Sequence, residues 1–254
     1  MRSLLFVNLL ISSVIMVSCG SLGKKYNKTQ IDNVKRVAVL SFVIYQDKPK
    51  DSLGLGSLTK GVDSSSTSEN SPEMKKLANN VYTYLSKKLR KKIGKKVYPL
   101  QKVAGTNFYK NFYKRKMEGL RMGGYHGKDV EMVYVRGIID QTNFQGLDYA
   151  KKVQLAKSVG ADAFIEFNAF QSIEQGWGFG NLTGNGDFAL KTRSNITMYN
   201  LRSDEPILRI QNVDGSKSRN SSELGKSYSQ MKKLSLIGVE SAKSSIDQLM
   251  KSFE

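Results

Sequence analysis

The run Val37-Ala38-Val39-Leu40, inside VKRVAVLSF, constrains the fold more than any other stretch of the chain. Four consecutive apolar residues leave no polar face to turn towards water. A strand that alternates can show one face to solvent, but an unbroken apolar strand has to be covered on both. The run therefore predicts a strand buried on both faces.

The pattern around it supplies the helices and the remaining strands. Asp47 to Pro72 is rich in Gly, Ser, Asp and Lys, has no helical stripe, and reads as a long mobile loop. Ser71-Pro72-Glu73 then opens a helix: Ser71 suits the N-cap, Pro72 the first helical position, and Glu73 the positive end of the dipole. Met74, Leu77, Ala78, Val81, Leu85, Leu89 and Ile93 recur at three- and four-residue steps, and Gly94 is the expected C-cap. Lys96 to Val103 reads as a short strand, with Pro99 placing it at a sheet edge. Val130 to Ile139 reads as another strand, and Leu147 to Val159 as a helix stopped by Gly160. Ala161 to Phe170 is a strand. Phe188, Leu190, Thr192, Ser194, Ile196 and Met198 alternate along a further strand, which turns at Arg202 to Glu205 and returns from Pro206 to Val213. Gly215 to Ser229 reads as a polar loop, and Leu234 to Phe253 as the last helix. Helices alternating with strands, followed by a hairpin, predict an α/β (α+β) domain: a mixed β-sheet with helices packed against it, including a carboxy-terminal helix.

The amino terminus has a different character. MRSLLFVNLLISSVIMVS carries one positive residue, Arg2, and a mostly apolar stretch from Leu4 to Val17, the layout of a secretory signal peptide. The stretch is short of the roughly 20 apolar residues that span a bilayer. Met16-Val17-Ser18-Cys19 resembles a bacterial lipobox, with Met16 in the place usually held by leucine. That resemblance implies cleavage before Cys19 and acylation of its thiol and new amino group, since thioether formation requires a strong nucleophile. Several acyl chains on one residue anchor stably where a single chain is marginal. Cys19 is the one cysteine of the chain, so a lipidated Cys19 removes disulfides, thiol catalysis and thiolate metal sites from the rest of the protein. The expected organisation is a signal peptide over 1–18, a polar tether over 19–33 and a single domain over 34–254, with the loop at about 47–72.

Forty Lys and Arg against 22 Asp and Glu give a formal net charge of +18. Such a balance points to acidic partners. Fifteen of the basic residues fall between Glu73 and Tyr125, against two acids, Glu73 and Glu118. Lysines on a solvated helix face account for part of this, and an envelope address favours anionic head groups or acidic envelope polymers over nucleic acid. Within the stretch, NFYKNFYK is a tandem repeat from Asn107 to Lys114, followed by Arg115. Aromatics interleaved with cations stack on sugars or bases or sit at a membrane interface, and Tyr109, Lys110, Tyr113, Lys114 and Arg115 are candidate contacts. The same residues also fit a helix with Phe108 and Phe112 inward and the lysines outward. Trp177, in a glycine-rich segment, is a further candidate contact. The single histidine, His126, stands in a glycine loop without a catalytic or ligating neighbour in sequence. GxSxG, HExxH and P-loop motifs are all missing from the sequence, so neither catalysis nor a metal or other cofactor is expected.

Three segments in order, VKRVAVLSF, LAKSVGADAFIEFNAF and SNITMYNLRSDEPILRIQN, resemble the TolB amino-terminal-domain-like lipoproteins. That group includes the curli secretion channel lipoprotein and the lipoprotein activators of penicillin-binding proteins. The resemblance spans about Val34 to Val213 and implies an α/β domain that binds protein partners and has no catalytic residues. The expected function is a non-enzymatic adaptor in the bacterial envelope, anchored to the bilayer, at the outer membrane, through Cys19. Its expected partner is an envelope protein or an anionic envelope polymer. The alternative is a subunit of a homo-oligomeric, curli-type outer-membrane secretion channel. That alternative needs Gly176 to Leu201 to supply membrane strands, and Asn181, Asn185, Asp187, Lys191 and Arg193 interrupt the apolar band such strands require.

Overall fold

The computed structural model describes residues 24–47, 72–94, 96–111, 130–134, 144–175, 187–220 and 228–253. In chain order these form β1 (Lys24–Tyr26), α1 (Lys28–Asp32), β2 (Arg36–Asp47), α2 (Pro72–Ile93), β3 (Lys96–Val97), α3 (Leu100–Ala104), β4 (Val130–Tyr134), α4 (Tyr149–Ser158), β5 (Ala163–Gln175), β6 (Asp187–Asn200), β7 (Pro206–Asn220) and α5 (Tyr228–Lys251). The strands make one mixed sheet in the order β1-β7-β6-β5-β2-β3, with β4 also paired to β2. β2 is parallel to β3 and β5; the other pairings are antiparallel. This is the mixed sheet with helices, including the carboxy-terminal one, that the sequence pattern predicts.

β2 has a core on each side of it. Val37, Val39, Phe42 and Ile44 pack with Leu77, Val81, Leu85 and Leu89 of α2 and with Ala242, Ile246 and Leu249 of α5. Ala38 and Leu40 pack on the opposite face with Leu155 and Ala156 of α4, Val103 of α3, Phe144 and Phe164. The change of parity along the strand, from 37 and 39 to 42 and 44, has a local cause. The pairing with β5 shifts between Val39 and Ser41, and one extra residue swaps the face of every side chain after it. An apolar run without alternation tolerates such a slip, because both faces are covered.

α2 begins at Pro72 and ends at Ile93, and Gly94 has φ +59°, a left-handed conformation that ends helices with little cost only for glycine. At the start of the sheet, Asp162 ties β5 to β2. Its carboxylate accepts from the Arg36 backbone N–H at 3.0 Å and from Arg36 Nε and Nη2 at 3.2 and 2.8 Å, and its own N–H donates to the Arg36 carbonyl at 2.9 Å. The Gly-Ala-Asp step before β5 is thus a strand-start clamp.

α5 lies unusually close to the sheet. A Cβ built on Gly215 of β7 would fall 2.1 Å from the Ser245 backbone nitrogen. The contact is backbone on backbone, so neither partner can swing aside. Around it, Gln171 Nε2 donates to Thr192 Oγ1 (3.1 Å) and to the Gly238 carbonyl (2.7 Å). Thr192 donates to Ser241 Oγ (2.8 Å), Ser241 to the Leu190 carbonyl (2.7 Å), and Ser245 to the Val213 carbonyl (2.7 Å).

Three expectations change. The stretch read as a tether up to Asn33 holds β1, which pairs with Leu208–Ile210, and α1, which buries Ile31. Three residues carry no readable period, and backbone pairing with β7 supplies the order. Lys96 to Val103 is a strand only at Lys96–Val97; Pro99 then caps α3, because its fixed φ of −69° suits a helix entry. β7 continues to Asn220 through the stretch read as a loop, paired residue for residue with Asp187–Ser194. The expected loop at 48–71 lies outside the described residues.

Gly215→Ala is expected to destabilise the domain by about 3 kcal/mol, the upper end of overpacking costs, because α5 has to retreat from β7. Chemical denaturation measures it; a loss below about 1 kcal/mol contradicts the close approach. Asp162→Asn is expected to lower the melting midpoint at pH 7 by roughly 3 °C. The Arg36 guanidinium beside Asp162 holds its carboxyl below the ordinary value. Its contribution is therefore complete above about pH 4, the unfolded value, and is lost as pH falls through the folded one. The difference between wild type and variant should close in acid, as read by melting curves across pH.

Candidate functional site

Each of α2 and α5 follows a strand that runs the same way, β2 and β7, so the two helices return in parallel over one face of the sheet. Gly238 of α5 lies against Leu77 of α2, and further along Asp247 meets Tyr84 and Lys88. Because Gly238 is also bonded to Gln171, late in β5, both helices descend towards the end of the sheet where β2 and β5 begin.

Between their outer faces runs a groove of about 860 Å³, lined by Lys88, Lys91 and Lys92 of α2 and by Lys243 and Lys251 of α5, with Glu240 and Asp247 among them. Five lysines against two carboxylates leave a net charge of +3. One carboxylate is tightly engaged. Tyr84 Oη lies 2.9 and 2.8 Å from the two Asp247 oxygens, and Lys88 forms an ion pair with the same group. Burial pushes the Asp247 carboxyl up, but the hydrogen bonds from Lys88 and Tyr84 outweigh it and hold it below its ordinary value. The Asp247 hydrogen bond in turn raises Lys88. Both groups are charged at neutral pH. The Tyr84 ring also carries two ammonium groups near its face, Lys88 at 4.9 Å and Lys243 at 5.3 Å from its centroid.

A second polar pair lies on the opposite face of the sheet. Glu166 is buried and meets Lys152 of α4 at 3.3 Å. Burial raises the Glu166 carboxyl, opposed by Lys152. Lys152 is also 4.8 Å from the Phe144 ring centroid. This pair fastens α4 to the sheet beneath other side chains, with 14% and 8% side-chain exposure, so it offers a ligand little access.

The candidate contacts read from the basic–aromatic segment divide. Tyr109 is 1% exposed and packs in the core with Val103 and Phe144, so it is an internal residue and not a surface contact. Residues 107–111 are helical; the Thr106 hydroxyl accepts from the Tyr109 backbone N–H at 3.2 Å, which starts the turn and directs Tyr109 inward with Phe108 half-buried beside it. Lys110 is exposed. Tyr113, Lys114 and Arg115 lie outside the described residues, as do Trp177 and Cys19. The groove lysines of α5 carry no shared signal with those of α2 in the sequence, since Lys243 and Lys251 are separated there from Lys88 to Lys92 by some 150 residues. Superimposing the polar stripes of the two helices would have aligned them, given parallel packing.

No known protein-family model matches the chain, and no curated protein matches it. The TolB-like resemblance therefore rests on the three quoted segments. Among solved structures the chain is similar to lipoprotein GNA1162 from Neisseria meningitidis, at 10% identity over 81% of this chain and 95% of that one, with a TM-score of 0.30. A likeness of that size transfers neither fold nor function.

Tyr84→Phe removes one donor from Asp247. Its carboxyl should titrate closer to the ordinary value in an NMR pH series, and the domain should lose about 1 kcal/mol on denaturation. An unmoved Asp247 titration would show that Lys88 alone sets it.

Proposed function

We propose that this chain is a lipid-anchored bacterial envelope lipoprotein whose α/β domain is a non-enzymatic binding protein for an envelope partner. The carrying observation is the one thiol of the chain, placed at the end of an apolar amino-terminal stretch in the sequence MVSCG. β1 begins at Lys24, five residues later. Five extended residues reach at most about 18 Å, so an acylated Cys19 would hold the domain against its membrane. Among the described residues no helix is long and apolar enough to cross a membrane.

The groove supports binding as the activity. Its lysines offer charge on a concave surface, and Asp247 is already engaged by an ammonium and a phenol. Such a set attracts and orients anions. The alternating face required for a membrane strand is otherwise occupied: Leu190, Thr192, Ser194, Ile196 and Met198 of β6 are all buried, and the Ser241 hydroxyl of α5 accepts from Thr192 and donates to the Leu190 carbonyl. That use of β6 favours the adaptor over the channel.

Replacing Cys19 by Ala should abolish incorporation of labelled palmitate and move the protein from the membrane fraction to the soluble one. A Cys19→Ala protein that still takes up label and sediments with membranes would overturn the anchor.

A further inference from the structure

We propose that the groove between α2 and α5 binds a linear acidic glycan, an anionic polysaccharide whose carboxylates or phosphates are separated by neutral units. The proposal takes its ligand class from the envelope reading above; the charge and shape of the groove stand independently of it.

Helix dipoles explain three of the five groove lysines and leave Lys88 and Lys243 unexplained. The negative end of a helix favours cations within its last turn only. That accounts for Lys91 and Lys92 at the end of α2 and for Lys251 at the end of α5. Lys88 and Lys243 stand further from their helix ends, and both ammonium groups are held near the Tyr84 ring. Ammonium groups already held in place lose less freedom on binding than free lysine side chains do.

Shape selects a chain over a surface. The groove follows α5, whose residues 240–251 cover about 16 Å along the axis, and Lys88 to Lys92 of α2 wall one turn of it on the other side. A planar bilayer touches only the rims of such a groove, whereas one extended polymer can lie along its floor. Charge spacing selects within the polyanions. Glu240 and Asp247 stand among the lysines, and Asp247 stays ionised beside Lys88. A ligand with a charge on every small unit would meet these carboxylates. One with neutral units between its charges can set each anion on a lysine and a hydroxyl against each carboxylate.

The test uses the full chain in non-ionic detergent and a linear polyuronate as probe, with binding read by calorimetry at low and high salt. Lys91, Lys243 and Lys251 replaced together by Gln should weaken binding roughly tenfold at low salt. Lys110, Lys151 and Lys157 replaced by Gln make the same charge change on the opposite face and should weaken it less than about threefold. Equal losses in the two triples, or none in the first, overturn the proposal. Monomeric uronate and glycerol phosphate should compete only weakly. If glycerol phosphate displaces the polymer at equal anion concentration, the site takes a single phosphate head group and the glycan is wrong. The single variant Lys91→Glu, on an exposed helix face, repeats the measurement should the triple prove unfolded by circular dichroism. Failure here leaves palmitate labelling of Cys19 untouched, and failure of that labelling leaves polymer binding untouched.

Discussion

The approach of α5 to β7 governs the arrangement of the face that carries the groove. Gly215 has no room for a side chain, because Ser245 backbone occupies the space. Gly238, Ser241, Ala242 and Ser245 give α5 a flat side that can come so near. Closeness alone would permit the helix to rotate about its axis. The chain of hydrogen bonds from Gln171 through Thr192 to Ser241 and the Leu190 carbonyl removes that freedom. Each bond is worth about 1 kcal/mol net, but a rotation that stranded these buried groups would cost about 1–3 kcal/mol for each. A connected polar network therefore specifies orientation more sharply than an apolar contact of equal area. Orientation is what aims Lys243, Asp247 and Lys251 towards α2.

The topology then accounts for the concentration of charge. Two helices that each follow an upward strand must both descend, so their negative dipole ends adjoin. Cations at that end relieve the repulsion. Five lysines within one groove nevertheless repel one another, and the arrangement contains the remedy. Asp247 sits between helices and binds Lys88, while the electron-rich Tyr84 ring receives Lys88 and Lys243. The site retains a net positive charge with its central cations fixed by protein contacts.

Much of this was legible in the sequence because burial imposes periods. The stripe from Leu77 to Ile93 with Pro72 and Gly94 at its ends marked α2 to the residue. The run around Val39 marked the doubly covered strand, although its bulge left no trace, since an unbroken apolar run reads alike in either phase. What escaped lacked an apolar period. β1 is three exposed residues ordered by pairing with β7. The far half of β7 is polar and is held by its ladder with β6. Tyr109 stands among cations in the sequence and so reads as a candidate contact, yet the turn begun at Thr106 sends it into the core. The groove escaped for another reason: it joins two helices distant in sequence, and only their shared direction of travel brings the lysines together.

On the proposed reading, anchor and groove would divide the work between position and recognition. β1 runs against β7 from the level of Ile210 towards Leu208, so Lys24 stands at the end of β1 that lies away from the helix ends. An acylated Cys19 at most about 18 Å from that point would bring the β1 edge nearest to the membrane. Lys24, exposed on that edge, would add electrostatic attraction to anionic head groups, while the Lys25 ammonium is paired with Glu205 at 2.9 Å. The groove opens on the outer side of the α2–α5 layer, on a face of the sheet and not at its edge. A head-group surface meeting the β1 edge thus leaves the groove open sideways. The short connection would then serve to keep a sideways-facing anion site within reach of polymers close to the membrane.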